Sequence, residues 1–263
     1  MTTTALILTA LAGLCVIFAG IFVLARKIDN YGIVDVAWSY AFAALAGFYA
    51  AFGSGWLPRR GLLAALVVLW SLRLGTHLYR RVMGHHPVED GRYVQLRKDW
   101  AGNFLPKMAG FFLIQAVSVV LLGLAFVPSF SEATPRFHPL EIAGAILWVV
   151  ALAGESLADR QLAAFKADTA NRGRVCAVGL WRYSRHPNYF FEWLVWVAYL
   201  VFALASPHGW IAVIGPATIL ALLLRVSGIP LTEEQAVRSK GDAYRRYQQT
   251  TSAFVPWFPK QLP

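Results

Sequence analysis

The sequence predicts an all-α integral membrane protein, a bundle of about seven transmembrane helices with its N-terminus outside and its C-terminal segment in the cytoplasm. Three observations predict this class. Hydrophobic residues make up 57% of the chain and charged residues only 14%, against roughly a quarter charged in soluble domains, so there is too little polar surface to cover a water-facing globule. The apolar residues fall in blocks of about 20, the length at which a helix crosses the hydrocarbon layer with every backbone N–H and C=O satisfied internally. The basic residues, finally, gather on one side of those blocks.

In chain order the blocks are 5–24, 33–52, 62–79, 110–127, 140–158, 189–205 and 210–226. The first has no Lys or Arg ahead of it and runs into Arg26 and Lys27, so it reads as a permanent helix with a stop-transfer flank and not as a signal peptide. Seven crossings put the 26–27, 80–107 and 160–185 segments and the C-terminal tail on one face, and those segments hold twenty of the 24 Lys and Arg. The other face has Arg59, Arg60 and Arg136, while Arg73 lies within the third block. Positive residues are retained inside, which sets the orientation. The same placement accounts for the net charge of +10 without nucleic acid as a partner. The six basic residues between the third and fourth blocks exceed what orientation needs and are available to a polyanionic cofactor. Cys15 and Cys176 form neither a disulfide framework nor a metal set.

No repeat or linker divides the chain, which reads as a single membrane domain, 1–263, ending in a cytoplasmic segment, 227–263. The polar stretch 85–107 is a long loop with a short amphipathic turn. Residues 231–249 have acids early (Glu233, Glu234) and bases late (Arg245, Arg246), an order that suits a helix dipole and an interfacial helix.

Ionisable residues within membrane helices are costly, so each marks a candidate site. They are Asp35, Arg73, His77, Glu155, Asp159 and Glu192. Glu155 and Asp159 are one turn apart, and Lys166 shares their face if the helix continues; Asn188 and Glu192 repeat the spacing, as do Arg73 and His77. The plainer reading of each pair is an interhelical hydrogen bond that holds the bundle together. Gathered toward one leaflet, the group reads as a site. The segment GLWRYSRHPNYFFE (179–192) puts Pro187 at a helix start, with the dipole's positive end, Arg182 and Arg185 available to phosphate and Trp181 and Tyr189 available for stacking.

The string RHPNYFFE with GLWRY ahead of it resembles the C-terminal signature of the steroid 5α-reductase and sterol-reductase superfamily. The resemblance runs through DRQLAAFK, the loop 171–179 and the tail EEQAVRSKGDAYRRYQQTTSAFVPWFPK. YGIVDVAWS and LWSLRLGTHLYRR resemble its bacterial branch, formerly grouped as a domain of unknown function. The resemblance implies a seven-helix enzyme that holds NADPH in the later helices and reduces an activated C=C bond of a steroid-like or other lipophilic substrate entering from the bilayer. It implies that Asn188 and Glu192 hold the nicotinamide end. Asp159, Lys166, Arg174, Arg185 and Tyr189 match or neighbour positions for ribose and phosphates, and Tyr244 and Tyr247 lie in a tail that closes over the nucleotide. Glu155, Arg182, His186 and Arg225 complete the expected cofactor set. Two departures stand out: Glu155 replaces the family's usual Asn, and Val34-Asp35 stands where the steroid enzymes have Gln-Glu.

For the acid that stabilises the substrate oxygen, the candidates are Asp35, His77 and Tyr79. Asp35 serves only if it is protonated, and Arg73 is the expected partner that would prevent this. A rival enzyme reading is an S-adenosylmethionine-dependent membrane methyltransferase of the isoprenylcysteine or phospholipid type, which shares RHP-x-Y and an acidic pair followed by G-x-x-Y. A reading of another class is a non-catalytic lipid-binding protein. Metal sites are not expected, and no pattern in the helices specifies an oligomer.

Overall fold

The computed structural model describes residues 1–226 and 228–260. Among these residues the secondary structure is helical without strands, and an isolated bridge pairs Ser184 with Ser252. The protein is a multi-pass membrane protein. Six stretches of the described residues are long and apolar enough to cross a bilayer: Thr3–Ile28, Ile33–Phe52, Leu57–His85, Ala101–Gly123, Pro139–Ala167 and Gly209–Lys240. The block expected at 189–205 forms a helix of 17 residues, Pro187–Ala203. At 1.5 Å per residue it is about 25 Å long, short of a hydrocarbon layer of about 30 Å.

The chain divides into two compact units, Met1–Phe137 with Ala205–Ile211, and His138–Leu204 with Ala212–Pro263. The first contains α1 (Thr3–Ile28), α2 (Ile33–Phe52), α3 (Leu57–His85), α4 (Gly91–Asp99), α5 (Phe104–Gly123) and α6 (Val127–Ser131). Small polar residues let α2 and α3 approach closely, as between helices in lipid. Ser71 Oγ donates to Ser39 O at 2.5 Å and accepts from Ala43 N at 3.0 Å, and the Tyr40 and Thr76 hydroxyls meet at 3.0 Å. Trp38 Nε1 donates to Ser118 Oγ at 2.9 Å, tying α2 to α5. Arg59 is buried, its guanidinium donating to the carbonyls of Glu132, Thr134 and Arg136.

Several boundaries differ from expectation. α3 is longer than the block 62–79 because polar turns extend it at both ends, to 29 residues. The block 110–127 is shifted: α5 runs over Phe104–Gly123 and yields to α6, in whose first turn Pro128 sits without an N–H to continue the earlier ladder.

The second unit contains α7 (Pro139–Ala167), α8 (Pro187–Ala203), α9 (Ile214–Ala221), a π-helical turn (Leu222–Val226), α10 (Ile229–Lys240) and α11 (Asp242–Thr250). α7 continues to Ala167, so Glu155, Asp159 and Lys166 do share one helix. The single interfacial helix expected over 231–249 is instead two, because Gly241 adopts φ +54° between α10 and α11, a left-handed backbone that glycine takes without strain.

α7 and α8 pack at glycine. A Cβ on Gly144 would come within 2.7 Å of Phe202 N and 2.9 Å of Ala198 O, backbone atoms that cannot step aside; nearby, Trp148 Nε1 donates to Tyr199 OH at 3.0 Å. Gly144→Leu will therefore destabilise the protein by about 2–3 kcal/mol. Gly20→Ala, where nothing lies within 4 Å, will leave thermal unfolding in detergent unchanged.

Candidate functional site

In the second unit the polar residues of α7 and α8 come into register. Asn188, in the first turn of α8, donates through Nδ2 to Asp159 Oδ1 at 3.2 Å. One turn deeper, Glu192 accepts from Trp196 Nε1 at 3.0 Å, and Glu155 is buried. Both carboxylates lie within electrostatic range of Tyr199. An amide and three acids thus line facing turns of two helices. With its Nδ2 on Asp159, Asn188 presents its oxygen as an acceptor, so the pair offers both polarities to a ligand amide.

The loop that starts α8 is fastened from several sides. Gly179 has φ +55°, Leu180 N donates to Gln161 Oε1 at 2.8 Å, and Trp181 Nε1 donates to Ala158 O at 2.9 Å. Tyr247 OH donates to Trp181 O. Glu233 of α10 then gathers the rest. Arg185 Nε meets its carboxylate at 2.6 Å, Gln248 Nε2 at 2.9 Å and His186 Nε2 at 3.2 Å. Arg185 also donates through Nη1 to the carbonyls of Gln248 and Thr251 at 2.9 and 2.5 Å. His186 stacks on Tyr189, the rings 5.3 Å apart and 8° from parallel, and the Tyr189 hydroxyl meets Thr232 Oγ1 at 3.2 Å. Burial pushes the Tyr244 and Tyr247 phenols well above their ordinary value.

Every residue expected to hold the nucleotide lies in this unit, and beyond Glu155, Asp159, Asn188, Tyr189 and Glu192 on α7 and α8 they divide into two groups. Arg185, His186, Tyr244 and Tyr247 are engaged internally, fastening the C-terminal arm to the start of α8. Arg185 therefore differs from the phosphate donor expected of it: its guanidinium is taken up by Glu233 and two carbonyls. Lys166, Arg174, Arg182 and Arg225 are exposed, and cations of this kind suit a polyanion. Glu233, the hub, was legible only as half of an acidic pair at the start of a helix.

In the first unit the structure corrects the expected pairing of Asp35. Its partner is not Arg73 but Arg92, on α4: Nη2 meets Asp35 Oδ2 at 2.7 Å, and Tyr93 OH donates to Oδ1 at 2.8 Å. Both oxygens of Asp35 thus act as acceptors. Arg92 is braced in turn by Asp90 through Nε at 3.1 Å. For Asp90, burial raises the carboxyl, but hydrogen bonds from the Arg92 side chain and N–H outweigh it and hold the group below its ordinary value. Beside this cluster, Arg97 reaches Glu89 at 2.7 Å and Asp29 at 2.8 Å over the Tyr31 and Phe104 rings, and Glu89 accepts from Tyr31 N at 2.6 Å. Charge thereby pins α4 to the start of α2.

Tyr93 is the residue that the sequence reading missed. It is buried at 2% exposure, and burial, followed by the neighbouring Asp35 charge, pushes its phenol well above its ordinary value. By contrast Tyr79 is 49% exposed and His77 is exposed, two positions apart on α3 and so on different faces. The signal available was Arg92-Tyr93 within RYVQLRK, a polar stretch with one large aromatic.

A cavity of about 400 Å³ in the first unit, lined by Thr3, Ile7, Pro128 and His208 among others, lies at the other end of α1 from this cluster and shares no residue with it. Among the described residues no group of three or more His, Cys, Asp or Glu is placed to hold a metal ion.

Comparison with known proteins yields a relative in Schizosaccharomyces pombe, the uncharacterized protein C594.04c, 26% identical over 260 residues that cover 86% of this chain and 73% of the relative. No solved structure matches. The family described as Protein of unknown function (DUF1295) matches residues 21–251, across both units and both polar clusters, and the chain belongs to that family.

Proposed function

We propose that the protein is an NADPH-dependent membrane reductase acting on an activated C=C bond, an enone, of a steroid-like or other lipophilic molecule that enters from the bilayer. The reading includes seven crossings with the N-terminus outside, in a bacterial inner membrane, so that the nucleotide is met on the cytoplasmic side. The observation that carries it is the Asn188–Asp159 hydrogen bond, with Glu155 and Glu192 one turn deeper; the resemblance to sterol reductases sets the nicotinamide end at Asn188 and Glu192, with Asp159 toward the ribose and phosphates.

The donor set fits the cofactor. Asn188 and its acidic neighbours suit a carboxamide and ribose hydroxyls, and the exposed Lys166, Arg174 and Arg182 suit phosphates. When bound, the nicotinamide supplies the hydride. The chain's own residues hold its amide, exclude water and furnish a proton. For that last role the candidates are His77, Tyr79 and Asp35, the last only if it gives up its pairing with Arg92.

Thermal unfolding of the purified protein with added ligands tests the reading. A ligand at about 100 times its Kd stabilises by about 2.7 kcal/mol. NADPH is expected to raise the transition, Asn188→Ala to abolish the rise, and S-adenosylmethionine to have no effect. Stabilisation by S-adenosylmethionine with NADPH silent would replace the reductase by a methyltransferase. Silence of both, with lipid stabilising, would favour a binding protein.

A further inference from the structure

The C-terminal arm, residues 252–260, carries an aromatic cluster that is exposed among the described residues. Trp257 is 69% exposed and Phe258 75%, with Val255 also exposed beside them. A segment that leaves such side chains in water is ordinarily slack, but here the backbone is bonded at Ser252, Phe254, Trp257 and Lys260. Ser184 bridges to Ser252, Arg185 N donates to Ser252 O at 2.8 Å, and Ser184 Oγ donates to Phe254 O at 2.8 Å. Trp257 N donates to Tyr183 O at 2.9 Å, and Lys260 N to Thr250 O at 2.8 Å. The fold therefore presents these rings rather than letting them dangle.

Where they are presented follows from α8. Phe254 packs on Phe190 and Trp193, ring centroids 5.7 and 5.8 Å away. Those residues lie three and six positions beyond Pro187, about 4.5 and 9 Å along the helix. The arm thus runs level with the first two turns of a helix that is apolar except for Asn188 and Glu192, which is the level of the bilayer edge when that helix is a crossing. Tyr183, whose ring lies 6.1 Å from that of Phe258, extends the cluster, and the exposed Arg182 and Lys260 flank it. Amphipathic rings with cations beside them match the interfacial zone of a membrane, where rings sit at headgroup level and Lys and Arg meet lipid phosphates.

We propose that the arm is an interfacial anchor: Trp257 and Phe258 insert into the headgroup layer of an anionic bilayer face, and Lys260 meets its phosphates. The anchor rests on α8 entering the bilayer, which belongs to the seven-crossing reading above, and not on the reductase chemistry. Its consequence is mechanical. Because the arm is bonded to residues 183–185, the lipid surface holds the loop that starts α8.

The test uses the full chain in nanodiscs of phosphatidylglycerol, taking the difference in emission between wild type and Trp257→Phe to isolate Trp257. Lipid brominated near the top of its acyl chains is expected to quench at least half of that difference signal, and aqueous iodide little of it. Replacing phosphatidylglycerol by phosphatidylcholine is expected to lower the lipid quenching at least twofold. Quenching by iodide and not by brominated lipid would place the arm in water and overturn the proposal. Protection from both quenchers, with doubling of the protein content per disc, would show a second copy covering the arm and would overturn it equally. Should the Trp257→Phe difference be too small to read, a nitroxide on Lys260→Cys decides by its accessibility to oxygen against a water-soluble nickel chelate. Preferential collision with oxygen supports the anchor, and preferential collision with the chelate sinks it.

Discussion

Replacing Arg185 by Met is expected to cost about 3–5 kcal/mol of stability. The guanidinium and the Glu233 carboxylate are only 10% and 15% exposed, so neither is hydrated well enough to stand alone. Met preserves the apolar stem and removes the charge. It leaves Glu233 with His186 and Gln248 only, and strands the carbonyls of Gln248 and Thr251. Arg185→Lys should fall between Met and wild type, because an ammonium cannot divide itself between a carboxylate and two carbonyls as a planar fork does. The measurement is thermal unfolding in detergent together with limited proteolysis of the C-terminal arm. Unchanged melting with a protected arm would show that Glu233 is held by the other contacts, and that the arm does not depend on Arg185.

Tyr93→Phe carries the second large effect, on the stability of the first unit. The hydroxyl is buried and donates to Asp35 Oδ1 at 2.8 Å, so its loss leaves a mostly buried carboxylate oxygen short of a donor and is expected to cost about 1–3 kcal/mol. The NADPH-induced thermal shift stays as in wild type, since Tyr93 does not belong to the nucleotide set. Asp35→Asn removes the ion pair with Arg92 as well and is expected to cost more. The pH dependence follows from burial, which raises the Tyr93 phenol above its ordinary value of 10.0. A raised folded-state value favours the protonated form, so its contribution to stability is complete below pH 10 and fades as pH rises beyond that. Thermal unfolding in detergent, followed against pH, measures both effects; unchanged melting in Tyr93→Phe would show that Arg92 alone holds Asp35.

The continuation of α7 past 158 to Lys166 was only a condition in the amino-acid sequence, whereas the membrane class, the helix 33–52, and the one-turn spacings of Glu155 with Asp159 and of Asn188 with Glu192 were legible there. Each is a local demand. A helix in lipid must satisfy its own backbone, and residues one turn apart must share a face, wherever the rest of the chain goes. What tertiary structure decided was partnership. Asp35 finds Arg92, 57 residues away, rather than Arg73, because α4 comes back over the start of α2, and nothing in the intervening sequence encodes that return. Arg185 finds Glu233, 48 residues on, and is thereby turned from an expected phosphate donor into a fastening. The break at Gly241 belongs with these: the glycine permits a left-handed turn, and the pull of Tyr247 on Trp181 O and of Arg185 on Thr251 O uses it. Charges choose partners by proximity in space, and for residues separated by dozens of positions that proximity exists only once the helices have packed.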